Sequence, residues 1–248
     1  MHHVWLVLFH GSIHLAPLPS CGPKNALDLG TGTGLWAIEF GDMYPECSVI
    51  GTDLSPIQPS WVPPNVKFEV DDIEEPWTFP RNHFDYIHVR NLIGGVKDWC
   101  KLIERAFEHM QEGGYIELAE SDLTDFYSDD GTLKDDSPGK IYIREMVKAS
   151  ALAGSRMDVF GELAGHLQSA GFTDIRVTKK KVPIGTWPKD KSMKEAGRWV
   201  LEACETGAEA YGLALFTRVL GMSEKEAKKL INDFVEVTGD RKVHMYGY

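Results

Sequence analysis

Short apolar runs alternate with longer segments of helical period through the first 120 residues. Asn25 to Leu29, Ser48 to Thr52, Val66 to Val70, Phe84 to Val89 and Tyr115 to Ala119 are each too short for a helix and rich in strand-forming side chains. Between them, Trp36, Ala37, Ile38 and Phe40 recur at helical spacing, as do Val96, Trp99, Ile103, Ala106, Phe107 and Met110. Apolar residues at i, i+3, i+4 and i+7 mark one face of a helix, while a brief apolar run bounded by turn residues marks a buried strand. Strand–helix alternation predicts an α/β fold: a doubly wound, mostly parallel sheet with helices on both faces. Gly113 and Gly114 are expected to end the later helix, with the fifth strand starting at Tyr115.

The rhythm breaks after residue 120. The stretch 121–139 holds Asp122, Asp125, Asp129, Asp130, Asp135 and Asp136 and predicts a long loop. Helices are expected near 140–153 and 158–170, the second ended by Gly171, and then a strand from Phe172 to Val182. Two further helices follow. Ser192–Glu195 and Ser223–Glu226 both carry the capping-box spacing, in which a serine hydroxyl and a glutamate three residues on satisfy each other's free N–H groups. Leu230, Ile231, Phe234 and Val235 give the last helix an apolar face, and Lys242 to Tyr248 predicts the start of a final strand. The expected organisation is one domain over 1–248. Residues 1–24 form an N-terminal cover, 121–170 a lid or substrate-side insertion, and 186–238 a set of C-terminal helices.

With 248 residues, 43% of them apolar, the chain can bury a large core. A net charge of −11 argues against sequence-independent nucleic-acid binding, which needs a basic surface. Lys179-Lys180-Lys181 reads as a solvated stretch. Cys21, Cys47, Cys100 and Cys204 form no C-x-x-C pair, so neither a zinc site nor a disulfide framework is expected, and Cys47 reads as a small apolar packer. Val4 to Phe9 is too short to span a bilayer. The expectation is a soluble intracellular protein, of cytoplasm or nucleus, with no membrane partner and no metal.

The most informative segment is Asp28-Leu29-Gly30-Thr31-Gly32-Thr33-Gly34, placed between the first strand and the first helix of the sheet. A glycine turn of this kind lets backbone approach a ligand at a helix N-terminus. A dinucleotide fingerprint requires G-x-G-x-x-G, but here the third glycine arrives one residue early and Leu35 occupies the dinucleotide position. This disfavours a nicotinamide-dependent oxidoreductase. Asp53 ends the second strand 19 residues after Gly34, where an acid binds ribose hydroxyls in nucleotide-binding α/β folds; a strand-end turn is the alternative. Asp71-Asp72-Ile73 ends the third strand. Arg90 and Asn91 end the fourth, and Glu120, Ser121 and Asp122 the fifth, all on the edge where such folds bind ligands.

The motif Asp-x-Gly-x-Gly-x-Gly resembles the first motif of class I S-adenosylmethionine (SAM) methyltransferases. That resemblance implies cofactor contacts from Asp28, Gly30, Thr31, Gly32, Gly34, Asp53 and Leu54, with Asp72 receiving the adenine amine and Ile73 covering the ring. The backbone of Arg90 and Asn91 would face the methionyl end, and Arg90 could equally form a structural ion pair. Glu120, Ser121, Asp122, Tyr127 and Tyr142 are the candidate acceptor contacts. A narrower resemblance rests on Trp36-Ala37-Ile38-Glu39, Asp53 to Pro59, Trp61 to Asn65, Pro76-Trp77, His88-Val89-Arg90, Thr186-Trp187-Pro188, Gly197-Arg198-Trp199 and Leu215 to Val219. In order and spacing these are similar to the LaeA-like fungal methyltransferases. Members usually carry a substantial segment before the stretch matching His2–Leu6 and a final strand extending past Tyr248. The resemblance implies methyl transfer from SAM, leaving S-adenosylhomocysteine (SAH), to a small secondary metabolite or a regulatory protein. The alternative it implies is a regulatory SAM-binding subunit that works in the nucleus with velvet-type proteins. No general base is evident, and in-line methyl transfer needs positioning more than acid–base chemistry.

Overall fold

The computed structural model describes residues 1–248. Its centre is a parallel five-stranded sheet: β1 (Asn25–Leu29), β2 (Ser48–Asp53), β3 (Val66–Val70), β4 (Phe84–Arg90) and β5 (Met110–Ala119), in the order β3-β2-β1-β4-β5. The order reverses between β1 and β4, so a crevice opens at the carboxyl ends of those two strands. The doubly wound sheet expected from the alternation is therefore present.

Strand alternation sends side chains to two faces. Leu27, Leu29, Ile87 and Val89 pack with Leu102, Ile103 and Ala106 of α3 (Trp99–His109) and with Leu163 of α5 (Leu163–Ala170). Ala26, Val49 and Tyr86 face the other way, onto Trp36 and Phe40 of α2 (Leu35–Met43). Asp98 caps α3 by accepting the Lys101 N–H at 2.9 Å. A second core holds Tyr142 and Met146 of α4 (Pro138–Ala153), Phe216, and Ile231 and Phe234 of α7 (Glu224–Gly239). The 121–170 segment therefore divides: α4 joins this helical core, whereas α5 packs on α3 beside the sheet.

The N-terminal segment is held at two places. Helix α1 (His2–Leu8) sets Val4 and Leu8 against Ala196 of α6 (Lys191–Ala214). Residues 13–16 then cross the sheet face. Glu117 accepts the N–H groups of Leu15 and Ala16 at 2.8 and 2.7 Å, and the Trp36 indole donates to Ile13 at 2.8 Å. Cys47 is buried, as expected, and burial pushes its thiol up to about 12.

Three expectations need correction, and one element is unexpected. Helix α3 stops at His109, and β5 begins at Met110 and runs through both glycines. The register jumps from Phe84–Met110 to Tyr86–Tyr115, and Gly113, at φ +80°, lies in that irregularity rather than ending the helix. The run Phe172–Val182 is coil except for β6 (Val182–Pro183), because no neighbouring strand supplies it with backbone partners. Val177 is 60% exposed, and β6 pairs antiparallel with the equally short β7 (Tyr246–Gly247). Helix α6 starts earlier than its serine suggested. Asp190 caps it by accepting the Met193 N–H at 2.9 Å, and Glu195 bonds His3 instead. Finally, α6 runs on into one turn of π-helix, Leu215–Val219, which no periodicity indicated. The Ser223–Glu226 box at α7 forms in full.

Candidate cofactor site

The site is built on strand ends. Asp28 is the penultimate residue of β1, Asp53 ends β2, Asp72 lies just beyond β3, and Arg90 ends β4. These strands are neighbours and parallel, so all four residues come to one edge of the sheet.

The loop from Gly30 to Gly34 is bent through three left-handed residues, with φ +65° at Gly30, +58° at Gly32 and +78° at Gly34. The three are glycine for different reasons. A Cβ on Gly30 would stand 2.4 Å from Leu92 Cδ2, and one on Gly34 would stand 2.3 Å from Phe68 Cζ. A Cβ on Gly32 would meet nothing within 4 Å. Gly30 and Gly34 are required by packing; Gly32 borders open space.

Side chains from β1 and β2 fix this bend. Thr31 donates its hydroxyl to Asp28 Oδ2 at 2.6 Å and its N–H to Thr52 O at 2.8 Å. Asp53 Oδ2 accepts the Gly32 N–H at 2.8 Å, and Oδ1 accepts the Ser55 N–H at 3.0 Å. Gln58 donates to Gly32 O at 2.6 Å and to Ser55 O at 2.9 Å, tying the loop after β2 to the middle glycine. Gln58 was missed by the sequence reading. It lies in the Asp53–Pro59 stretch that carries the family resemblance, which assigned it no role, and only the fold brings it to Gly32. Asp28 is also tied into the protein. Its Oδ1 accepts from His88 Nδ1 at 2.7 Å, the residue is 3% exposed, and the His88 ring stacks on Trp36 at 3.8 Å. Both carboxylate oxygens accept from groups of the protein, so Asp28 helps to shape the loop.

Asp72 Oδ1 accepts the Glu74 N–H at 2.9 Å, leaving Oδ2 without a protein partner. Ile73 packs against the sheet core, while its carbonyl accepts from the Trp77 indole and Arg105. Leu54 is 69% exposed beside Asp53. Arg90 makes no ion pair with a carboxylate of the protein. Its Nη2 donates to His2 Nδ1 at 2.9 Å, and His2 Nε2 donates to Glu39 at 2.8 Å. His2 is thus the neutral tautomer, and burial, opposed by Glu39, lowers its proton affinity. Burial also lowers the pKa of Arg90, against the pull of Asp28 and Glu39. Asn91 holds φ +57°, a left-handed conformation uncommon outside glycine, with its N–H on Ala119 O at 3.2 Å.

The acceptor candidates separate. Both Glu120 oxygens are taken by backbone N–H groups of Leu92 and Ile93, and burial pushes its carboxyl up to about 7. Asp122 accepts from Thr124, and its N–H donates to Tyr248 O at 2.7 Å. Ser121 is half-buried between them. Tyr127 bridges to Tyr246 and packs against Tyr248, ring centroids 5.5 Å apart. Tyr142 is no pocket wall. It is 6% exposed, stacks on Phe234 at 4.0 Å and donates to Ala208 O at 3.0 Å, because α4 turns that face into the helical core. No group of three or more His, Cys, Asp or Glu is arranged to hold a metal ion.

Residues 11–177 match the family model of a methyltransferase domain. Over 231 residues the chain is 42% identical to the methyltransferase pytC of Aspergillus terreus, covering 93% of this chain and 70% of that protein. It belongs to the SAM-dependent methyltransferase family. Among its fungal members the chain is also 36% identical over 251 residues to the secondary metabolism regulator LAE1 of Cochliobolus heterostrophus, covering 99% of this chain and 81% of that one. The fold agrees. A phosphoethanolamine N-methyltransferase of Haemonchus contortus, solved with SAH, aligns with a TM-score of 0.56 at 17% identity over 99% of this chain, which spans half of that one. The YcgJ protein of Bacillus subtilis aligns at 0.53 and 19% identity, covering 83% of this chain and 85% of that one. The fungal methyltransferase family implied by the sequence motifs is thus the family found.

The residues present fit the cofactor of this family. Gly32 leaves an open floor, Asp53 and Asp72 supply acceptors at adjacent strand ends, and the backbone of the glycine bend is already fixed by Thr31, Asp53 and Gln58.

Proposed function

We propose that this chain binds SAM across the carboxyl ends of β1 to β4 and transfers its methyl group to a small molecule of secondary metabolism. The observation that carries the reading is Gly32. It is the one glycine of the bend whose missing side chain faces open space, and its N–H and C=O are both held by residues from β2 and the loop that follows. Asp53 and Asp72 would accept hydroxyl and amine donors of the nucleoside, and Leu54 and Ile73 would flank it. The glycine backbone and Asn91 would border the methionyl end. When bound, the sulfonium supplies an activated methyl group. The chain's own part is to orient the acceptor in line with it and exclude water, a positioning effect of about 7–11 kcal/mol in favourable intramolecular cases. Titration calorimetry with SAH on the full chain tests the binding. A tritium-transfer assay on fungal metabolite extracts tests the transfer, and folded protein that binds no SAH would refute the reading.

A second reading is favoured by one observation. The similarity to the regulator LAE1 covers 99% of this chain, including the helical core. On that reading the protein acts in the nucleus by contact with velvet-type proteins, and its methyl acceptor is a protein. Affinity capture from nuclear extract that recovers velvet-type proteins supports it; a chain that turns over a small molecule and recovers none refutes it. No helix is long and apolar enough to cross a membrane.

A further inference from the structure

β3 is an outermost strand of the sheet, with β2 as its one strand neighbour. The Asn65 C=O accepts the Val49 N–H at 2.9 Å, and the Asp71 N–H donates to Asp53 O at 3.1 Å. Main-chain groups alternate sides along a strand, so Lys67 and Glu69 also turn theirs toward β2, while Val66, Phe68 and Val70 point theirs away from the sheet. On that outer side the Val66 N–H is taken by Pro63 O at 3.0 Å. Apolar surface accompanies the free main chain. Val70 is 63% exposed, and Trp61, in the loop that leads into the strand, is 93% exposed.

An open edge invites pairing with another strand, and a lysine on it ordinarily deters that pairing. Here the lysine has its complement in the same strand. Val66-Lys67-Phe68-Glu69-Val70 reads alike in both directions, except that lysine and glutamate exchange places. The two charged side chains share one face of the strand and lie 2.6 Å apart.

We infer that β3 is the contact strand of a homodimer: two copies of the chain pair antiparallel about Phe68 and join their sheets across a two-fold axis. In that register the two Phe68 residues exchange N–H···O=C bonds, and each Val70 N–H donates to the Val66 C=O of the other copy. Each of these groups already points outward. Lys67 faces Glu69 of the other copy on both sides of the axis, at the non-hydrogen-bonded positions where opposed side chains come closest. Charge selects the register. An axis through Lys67 sets lysine against lysine, and one through Glu69 sets glutamate against glutamate; like charges directly opposed are unfavourable. A slip of one residue sends the side chains to the wrong face. Phe68 needs no rearrangement, because its ring already packs over Gly34 and Gly51 and its main chain alone enters the ladder. The same patch meets itself, so association closes at two copies.

Sedimentation velocity on the full chain over a concentration series tests this, and the wild type should pass from monomer to dimer. Lys67→Glu or Glu69→Lys turns both attractive pairs repulsive and should weaken the dimer about tenfold or more. The double variant K67E/E69K should restore it to within about threefold of the wild type. K67E mixed with E69K should form the heterodimer, because each glutamate then opposes a lysine. Amide exchange in the wild type reads the same contact without any variant. The Phe68 and Val70 amides should slow as concentration rises, while those of Lys67 and Glu69, which face β2, stay unchanged. A chain that remains monomeric throughout, an assembly larger than a dimer, or a dimer indifferent to both charge reversals overturns the inference. So does a mixture of the two single variants that gains no dimer over either alone.

Discussion

Gly32→Ala against Gly34→Ala separates a functional glycine from a structural one. Both positions are left-handed, so an alanine at either costs about 1–2 kcal/mol in backbone strain. For a chain of this size that lowers Tm by about 2–8 °C. At Gly34 the new Cβ also meets Phe68 at 2.3 Å. Forcing a methyl into packed surroundings adds about 1–3 kcal/mol, so G34A should lose about 2–5 kcal/mol in all. At Gly32 the Cβ meets no protein atom within 4 Å, so the folded protein should show the backbone strain alone. The cost appears when the cofactor arrives, because the methyl occupies the floor of its site. The same 1–3 kcal/mol then weakens SAH binding by about 5- to 150-fold. Thermal melting and calorimetry on both variants read the two effects. Wild-type SAH affinity in G32A would refute the placement of the cofactor over this loop.

Other substitutions probe the remaining parts. Asp53→Asn sets an amide donor against the N–H of Gly32 or Ser55; losing a charged acceptor of about 1.5–3 kcal/mol should weaken SAH binding by roughly 10- to 150-fold, and unchanged affinity would contradict its place in the site. Tyr142→Phe removes the bond to Ala208 and should lower stability by about 1 kcal/mol while leaving SAH affinity alone; a change in affinity would return Tyr142 to the pocket. Ser223→Ala opens the capping box of α7 and should lower Tm by about 2–4 °C from a loss of about 1 kcal/mol, with an unchanged melt counting against the cap. Glu120 also sets a trend in stability with pH. Its folded-state pKa is raised from 4.5 to about 7, so its contribution favours folding at low pH and is lost as pH rises through that window. Wild type should therefore lose stability relative to E120Q between pH 5 and pH 8, by at most about 3 kcal/mol, and melting curves that stay parallel would show that the carboxyl titrates normally.

The strands of the sheet were legible because each is a short apolar run bounded by turn residues, and a parallel strand buried on both faces has little freedom to look otherwise. The glycine bend was legible because φ near +60° excludes most side chains, so the conformation is written in the residue type. Glu120 shows the opposite case. Its position at a strand end suggested contact with an acceptor, but its oxygens bond Leu92 and Ile93, whose arrival depends on the β4–β5 register. Tyr142 has a helical environment that only the packing of α4 on α7 reveals. The run Phe172–Val182 reads as a strand, yet a strand needs a neighbour, and that is not a local property.

The sequence alone determined the α/β class, the sheet-forming segments, the glycine bend and the family, since each depends on local side-chain volume, periodicity or permitted backbone angles. Only the tertiary structure decided that Asp28 bonds His88 and Thr31, that Gln58 reaches Gly32, that Arg90 bonds His2, and that Glu120 bonds Leu92 and Ile93. Those assignments join residues from 3 to 88 positions apart, and hydrogen-bonding partners at such separations are chosen by strand register and helix packing rather than by the chain's local pattern.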